Sequence, residues 1–166
     1  MHLLTDTLIC YIPIMRKIIG YLLFLFLLLT IVLFLEFTNL LPGWYYAYQL
    51  FFHCLIASGI GGIVYCLRAV YLHASVHKNW DNEWQLWYYI RPLLSLIMGG
   101  VSFVFLKAGL LILDASQNSD TTNYGFIALS FIAGFNVSKF LSKLEDISQS
   151  VWGIEKSRAS QHKNEE

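Results

Sequence analysis

The polar residues that interrupt apolar stretches of this chain are the first candidates for chemistry. Lys107 lies inside one such stretch, about 9 Å by helical rise from its end. Glu36 lies near the end of another stretch. If these stretches are membrane spans, Glu36 and Lys107 lie at a similar depth in the bilayer. A charge inside a membrane usually has a function or a partner. We expect a Lys107–Glu36 pair that fixes helix packing or lines a vestibule. The alternative is that the Lys107 side chain extends to the membrane surface.

Other patterns for catalysis or metal binding are weak. Arg68 and His73 have the Arg-x4-His spacing of ribonuclease motifs in the HEPN superfamily, but that chemistry needs two facing motifs on soluble helices. His53 and His77 lack partners at metal-ligand spacing, and the three cysteines form no Cys-x-x-Cys pair. The sequence contains no Ser/His/Asp set, HExxH motif or phosphate loop. We therefore expect neither an enzyme nor a bound metal or cofactor.

Four apolar stretches indicate the elements that must position these residues. The 166 residues are 57% hydrophobic and 13% charged, which is too apolar for a soluble domain of this length. Crossing a hydrocarbon core of about 30 Å takes roughly 20 helical residues, and each stretch approaches that length. We predict an all-α fold in which residues 1–138 form a four-helix transmembrane bundle. The predicted spans are 18–37, 44–67, 92–113 and 124–138.

Positive charge is distributed unevenly between the segments that connect these spans. Ten of the eleven Lys and Arg residues fall before the first span, between the second and third, or after the fourth. The two opposite loops, 38–43 and 114–123, contain neither residue type. The positive-inside rule therefore predicts that both termini are cytoplasmic.

The segment before the third span contains tryptophans at helical spacing. Trp80, Trp84 and Trp87 recur at i, i+4 and i+7, and Arg91 follows one turn later. Indole rings favour the headgroup region of a bilayer. We predict an interfacial helix that lies on the inner leaflet and runs into the third span at Pro92. The alternative is an aromatic platform that stacks a nucleotide ligand.

Pairs of small residues four positions apart occur in three of the four spans. Small residues allow helix backbones to approach closely in lipid. The pairs predict close helix packing, either within a compact bundle or between copies of the chain, and a glycine-dependent bend is the alternative. They are Ser58 and Gly62, Ser95 and Gly99, and Ser130 and Gly134.

A heptad-like pattern follows the fourth span. Its apolar residues alternate at spacings of three and four, as at the a and d positions of a coiled coil. Ser130 and Ala133, upstream in the fourth span, keep the same heptad phase. The pattern therefore predicts one seam that runs from the membrane into the cytosol. This seam would join copies of the chain or contact a partner. An amphipathic helix packed on its own subunit or on the inner leaflet is equally compatible. We place a cytosolic helix at 139–157 and a disordered tail at 158–166. The seam comprises Val137, Phe140, Leu144, Ile147, Val151 and Ile154.

The second half of the chain resembles small multi-pass bacterial membrane proteins. The motifs that carry this resemblance are Arg91-Pro92-Leu93, Gly99-Gly100, Gly109-Leu110-Leu111 and Ala133-Gly134-Phe135. Some proteins similar to these act as effectors or partners in antiphage systems. The resemblance therefore implies a bacterial inner-membrane protein with a role in defence.

These observations together predict a non-enzymatic membrane component. We expect a homo-oligomer that docks or senses a cytosolic protein and changes membrane permeability when triggered. The alternative is a constitutive ion channel or small transporter that uses Lys107 and Glu36. Expected partners are the lipid bilayer, further copies of the chain and a cytosolic protein. The net charge of zero gives no reason to expect nucleic acid.

Overall fold

The regular elements of the chain are helices wherever the structure, a computed structural model, describes it: residues 2–38, 40–77, 84–109 and 119–153. A π-helical turn, Leu72–His77, continues the third helix. The six α-helices are α1 (His2–Phe37), α2 (Gly43–Ala47), α3 (Gln49–Tyr71), α4 (Trp84–Lys107), α5 (Ser119–Phe135) and α6 (Val137–Trp152).

Three segments are long and apolar enough to cross a bilayer: Ile14–Phe37, Gln49–Ala74 and Trp84–Lys107. Large apolar side chains remain exposed on these helices; Phe24 and Phe34 of α1, for example, are 61% and 64% exposed. Contiguous apolar surface of this kind is unfavourable in water and is suited to contact with lipid. The prediction of an all-helical fold is confirmed for the described residues, and three helices, or four if the bent pair α5–α6 counts as one span, are suited to cross a membrane.

Helix boundaries differ from the predicted spans 44–67 and 92–113. The first residues of the predicted span 44–67 belong mostly to the short helix α2. Tyr48 separates α2 from α3 because the Tyr48 backbone (φ −117°, ψ 21°) is not helical. Helix α4 ends at Lys107, and Gly109 follows with φ +71°. Glycine adopts this left-handed conformation without steric cost, which is why it so often ends a helix.

The predicted interfacial tryptophan helix is not a separate element in the part of the chain that the structure describes. Trp84 and Trp87 belong to α4, which continues through Pro92, while Trp80 lies outside the described residues. Proline removes one backbone donor from a helix, and neighbouring helices can compensate for this in a bundle. Pro92 is fully buried against such neighbours, so the helix continues instead of ending there.

The segment predicted as the fourth span is not one straight helix. Helix α5 ends at Phe135, and the axis of α6 lies at 111° to it. Asn136 has φ −122° and ψ 52°, outside the helical region, although its N–H still donates to Ile132 O and its carbonyl accepts from Phe140 N. A straight seam from Ser130 into the cytosol, as the heptad phase predicted, is therefore wrong because the chain turns at Asn136.

Helices α3, α4 and α5 pack closely together, and α1 packs mainly on α3. Ile18 and Leu22 of α1 are fully buried in a cluster that includes Ile63 and Val70 of α3. One face of α3 remains uncovered between α1 and α5. This uncovered face borders the candidate site.

Candidate functional site

The six small residues of the predicted packing pairs lie within the contacts between α3, α4 and α5. A Cβ added to Gly134 would overlap the carbonyl oxygen of Ser58, and one added to Gly62 would overlap the Ser95 side chain. A Cβ on Gly99 would lie 2.7 Å from Ser58 Cβ. The helix backbones can approach this closely only because these positions carry no larger side chain.

Buried serines connect the same three helices by hydrogen bonds. Ser58 Oγ donates to Ser95 O at 2.5 Å, Ser95 Oγ lies 3.1 Å from Gly134 O, and the hydroxyls of Ser102 and Ser130 are 2.8 Å apart. All four serine side chains are fully buried. The structure thus places these small-residue faces inside one chain, which is the compact-bundle alternative of the sequence analysis.

Glu36 is the centre of a polar cluster formed by α1, α2 and α3. Tyr45 Oη donates to its Oε2 at 3.1 Å, and Gln49 Nε2 donates to its Oε1 at 2.6 Å. His53 Nε2 lies 2.9 Å from Oε2, so this histidine is hydrogen-bonded to the carboxylate. Glu36 lies at the end of α1, and the other three side chains come from the nine residues Tyr45–His53 in α2 and the start of α3. They meet because the chain reverses between α1 and α3.

Tyr45 is held rigidly in this cluster. Pro42 has the extended conformation that precedes a helix, and its carbonyl accepts a hydrogen bond from Tyr45 N. The Tyr45 ring is buried and stacks on Phe52 at 4.7 Å between centroids. Burial, and after it the hydrogen bond to Glu36, raises the pKa of Tyr45 to about 12. The hydroxyl therefore remains a donor across the physiological pH range.

The structure does not bring Lys107 to Glu36. Among the residues described, Glu36 lies within hydrogen-bonding distance of His53, whereas Lys107 is exposed at the last residue of α4 with Nζ 5.9 Å from the Phe103 ring centroid. The sequence analysis placed Lys107 deeper because it extended the span to residue 113. A cation at this position interacts favourably with the helix C-terminus.

Arg91, which was predicted to face the membrane interface, is buried. Its guanidinium carbon lies 4.7 Å from the Tyr65 ring centroid and 5.2 Å from that of Trp87. This arrangement joins α3 to α4 through cation–π contacts. Trp84, two turns before Arg91, is 45% exposed and is the more accessible of the two predicted tryptophans that the structure describes.

The heptad pattern divides between the interior of the chain and its surface. Val137 and Phe140 are buried with Met98 and Ala133, and Leu144 packs against this cluster. The first half of the predicted seam therefore packs on its own subunit, which was the alternative interpretation. Of the later positions, Ile147 is half-buried, Val151 is exposed, and Ile154 lies outside the described residues.

Three adjacent cavities share His53 as a lining residue. The largest, about 520 Å³, is an apolar groove between α1 and α5 over the uncovered face of α3. A second, about 440 Å³, has a polar wall that includes Gln49 and Asn123. The third, about 430 Å³, includes Glu36 itself. The polar cluster thus lies at one end of an apolar groove.

Sequence reasoning found Glu36 but missed the residues around it. His53 and Gln49 were available as a signal, since both are polar, lie near the predicted depth of Glu36 and are four residues apart on one helix face. Within the described residues, no group of three His, Cys, Asp or Glu side chains is arranged to hold a metal ion. The cluster offers hydrogen bonding and negative charge.

Comparison with known proteins gives no relative: no family model, curated protein or solved structure matches this chain. The fold and the site therefore define a class only, that of small helical proteins with several membrane-type helices and a carboxylate–imidazole pair at one end of the bundle.

Proposed function

We propose that the chain is a non-enzymatic integral membrane protein that docks a cytosolic protein through α6 and changes membrane permeability in response. The resemblance of its second half to small membrane proteins of antiphage systems points to a role in bacterial defence. The asymmetry of Lys and Arg supports a cytoplasmic location for α6 and both termini.

The observation that carries this proposal is the path of α6. Its first turn is anchored in the core through Val137 and Phe140, and the helix then leaves the span at 111°. Further along, Val151 and Trp152 are 52% and 57% exposed. A helix whose first turn is buried in the core and whose far end exposes apolar side chains is suited to bind a protein partner through its apolar face.

The peripheral position of α1 supports the proposed change in permeability. Serine hydrogen bonds and close backbone contacts join α3, α4 and α5, whereas α1 is attached mainly through apolar contacts to α3. A partner that binds more tightly to a state with displaced α1 shifts the population toward that state.

Substitutions at the exposed end of α6 test the docking role. We expect Ile147→Glu combined with Val151→Glu to abolish co-purification with the soluble protein encoded beside this chain, because charge disrupts an apolar docking face. Gln149→Glu combined with Ser150→Glu adds the same charge at other positions and should leave binding intact. Removal of residues 146–166 should also abolish binding while retaining the core residues Val137, Phe140 and Leu144.

Normal partner binding by the chain that lacks residues 146–166 contradicts the docking role. Partner-dependent dye release from liposomes then tests permeability.

The alternative function, a small transporter, is favoured by the Glu36–His53 pair beside open cavities. Flux that needs no partner and is lost in Glu36→Gln would support that alternative instead.

A further inference from the structure

The apolar groove and the cavity that contains Glu36 are neighbours with chemically distinct linings, and they share Leu33 and His53. Leu33 of α1, the α3 face that carries Ile56 and Ile60, and Phe131 and Ile132 of α5 line the groove. His53 at one end is the polar side chain of that lining. A volume of about 520 Å³ lies within the range of roughly 300–1,000 Å³ that is usual for ligand pockets.

The polar end carries negative charge without a Lys or Arg counterion. None of the residues that line the three cavities is Lys or Arg. The hydroxyl of Tyr45, the amide of Gln49 and the imidazole of His53 occupy three of the roughly four acceptor positions of the Glu36 carboxylate. These three side chains orient the carboxylate, and one acceptor position is left for a ligand.

From this arrangement we propose that the site binds a single-tailed amphiphile with a cationic, ammonium-type head. The tail lies in the groove along α3, and the head pairs with Glu36 beside His53. Seven residues separate His53 from Ile60, about 10 Å of helix, so a tail can extend along two turns. An anionic head finds no Lys or Arg in the lining of these cavities and is repelled by Glu36. This inference concerns the end of the bundle opposite α6 and is independent of partner docking.

Binding measurements with three probes of one tail length test the proposal. The full chain in phosphatidylcholine nanodiscs is titrated with decyltrimethylammonium, decanol and decyl sulfate, each below its micelle concentration. We expect the ammonium compound to bind about tenfold more tightly than the sulfate, since a charge contact in a partly buried site contributes more than an exposed ion pair. Equal affinity for the two charged probes overturns the proposal, and this comparison requires no variant.

Two variants separate the head from the tail. Glu36→Gln should weaken ammonium binding about tenfold and leave decanol binding unchanged, because it removes the charge but retains one oxygen that can accept from Tyr45, while the Gln49 amide can turn to accept from the new NH2 group. Asp146→Asn on α6 is the charge-matched control and should change neither. Ala128→Leu fills the exposed side of the groove and should weaken both probes, whereas Ala108→Leu, an exposed alanine away from the groove, should weaken neither.

The outcomes distinguish the proposed ligand from other occupants. If Glu36→Gln keeps its helicity and binds the ammonium compound within twofold of the wild-type affinity, the carboxylate is not the site that binds the head. Decanol affinity equal to that of the ammonium compound shows a merely apolar groove and overturns the proposal. Loss of ammonium binding in nanodiscs that contain phosphatidylethanolamine assigns the cavity to a bilayer lipid and overturns it as well.

Discussion

Gly134 of α5 meets the backbone carbonyl of Ser58 on α3 with no side chain between them. The neighbouring serines add hydrogen bonds between the same helices. In lipid, where apolar side chains gain little from leaving their surroundings, dispersion contacts and interhelical hydrogen bonds hold helices together. The Ser58–Gly134 contact is therefore expected to be sensitive to the addition of even one methyl group.

We predict that Gly134→Ala destabilises the bundle by about 1–3 kcal/mol, because backbone atoms cannot move aside as a flexible side chain can. Chemical unfolding in detergent, followed by circular dichroism, measures this effect.

Gly20→Ala is the matched control for that substitution. Gly20 lies within α1 and an added Cβ meets nothing within 4 Å, so alanine should stabilise by about 0.5–1 kcal/mol through its better helix propensity. Equal effects of the two substitutions would show that the α3–α5 contact is not close.

We expect the contribution of Arg91 to the free energy of unfolding to depend on the planar shape of its guanidinium as well as on its charge. Arg91→Lys keeps the charge but loses the planar group that faces Tyr65 and Trp87, and we predict a loss of about 1–2 kcal/mol. The same unfolding experiment measures it. Arg68→Lys, at an exposed position on α3, should stay within about 0.5 kcal/mol of wild type. A Tyr65→Leu background should reduce the effect of Arg91→Lys; full retention of the effect there argues against the cation–π contact.

Alkaline pH should act on the Glu36 cluster through Tyr45. A tyrosine whose pKa is raised in the folded state binds its proton more tightly there than in the unfolded chain. The resulting stability is fully present below about pH 10, the ordinary tyrosine value, and is lost as pH rises to about 12. Subtracting the phenolate absorbance of Tyr45→Phe from that of wild type isolates the titration of Tyr45. We predict that this difference develops near pH 12.

Glu36→Gln provides the control for the cause of this shift. Because burial is the larger cause and the bond to Glu36 the smaller, the pKa of Tyr45 in this variant should fall but stay above 10. A tyrosine that titrates at its ordinary value in the wild-type chain would show that its ring is not buried.

The candidate site illustrates how far local sequence patterns reach. Glu36 stands out because it ends an apolar run, and its depth suggested a charged partner. Lys107 was chosen as that partner because it was the one Lys or Arg inside a predicted span. The actual partner, His53, depends on how the chain turns through Pro42 and Tyr48, and this turn brings the start of α3 beside the end of α1.

Packing could be predicted where a pattern is itself the physical cause. Ser58, Gly62 and Gly134 were identified by spacing, since small residues on one face are what allow backbones to approach. Whether they meet residues of the same chain or of another copy was open, because both arrangements satisfy the same helix face. The bend at Asn136 was likewise missed, since the heptad phase continues across it.

Hydropathy by itself determined that this protein is helical and of the membrane type, because the free energy of placing a segment in lipid is a sum over the residues of that segment. The tertiary structure decided which side chains meet: Glu36 with His53, Ser58 with Gly134, and Val137 with the core instead of a second copy. Such contacts depend on angles between helices, and a few backbone torsions at Tyr48 and Asn136 set those angles without changing the apolar pattern.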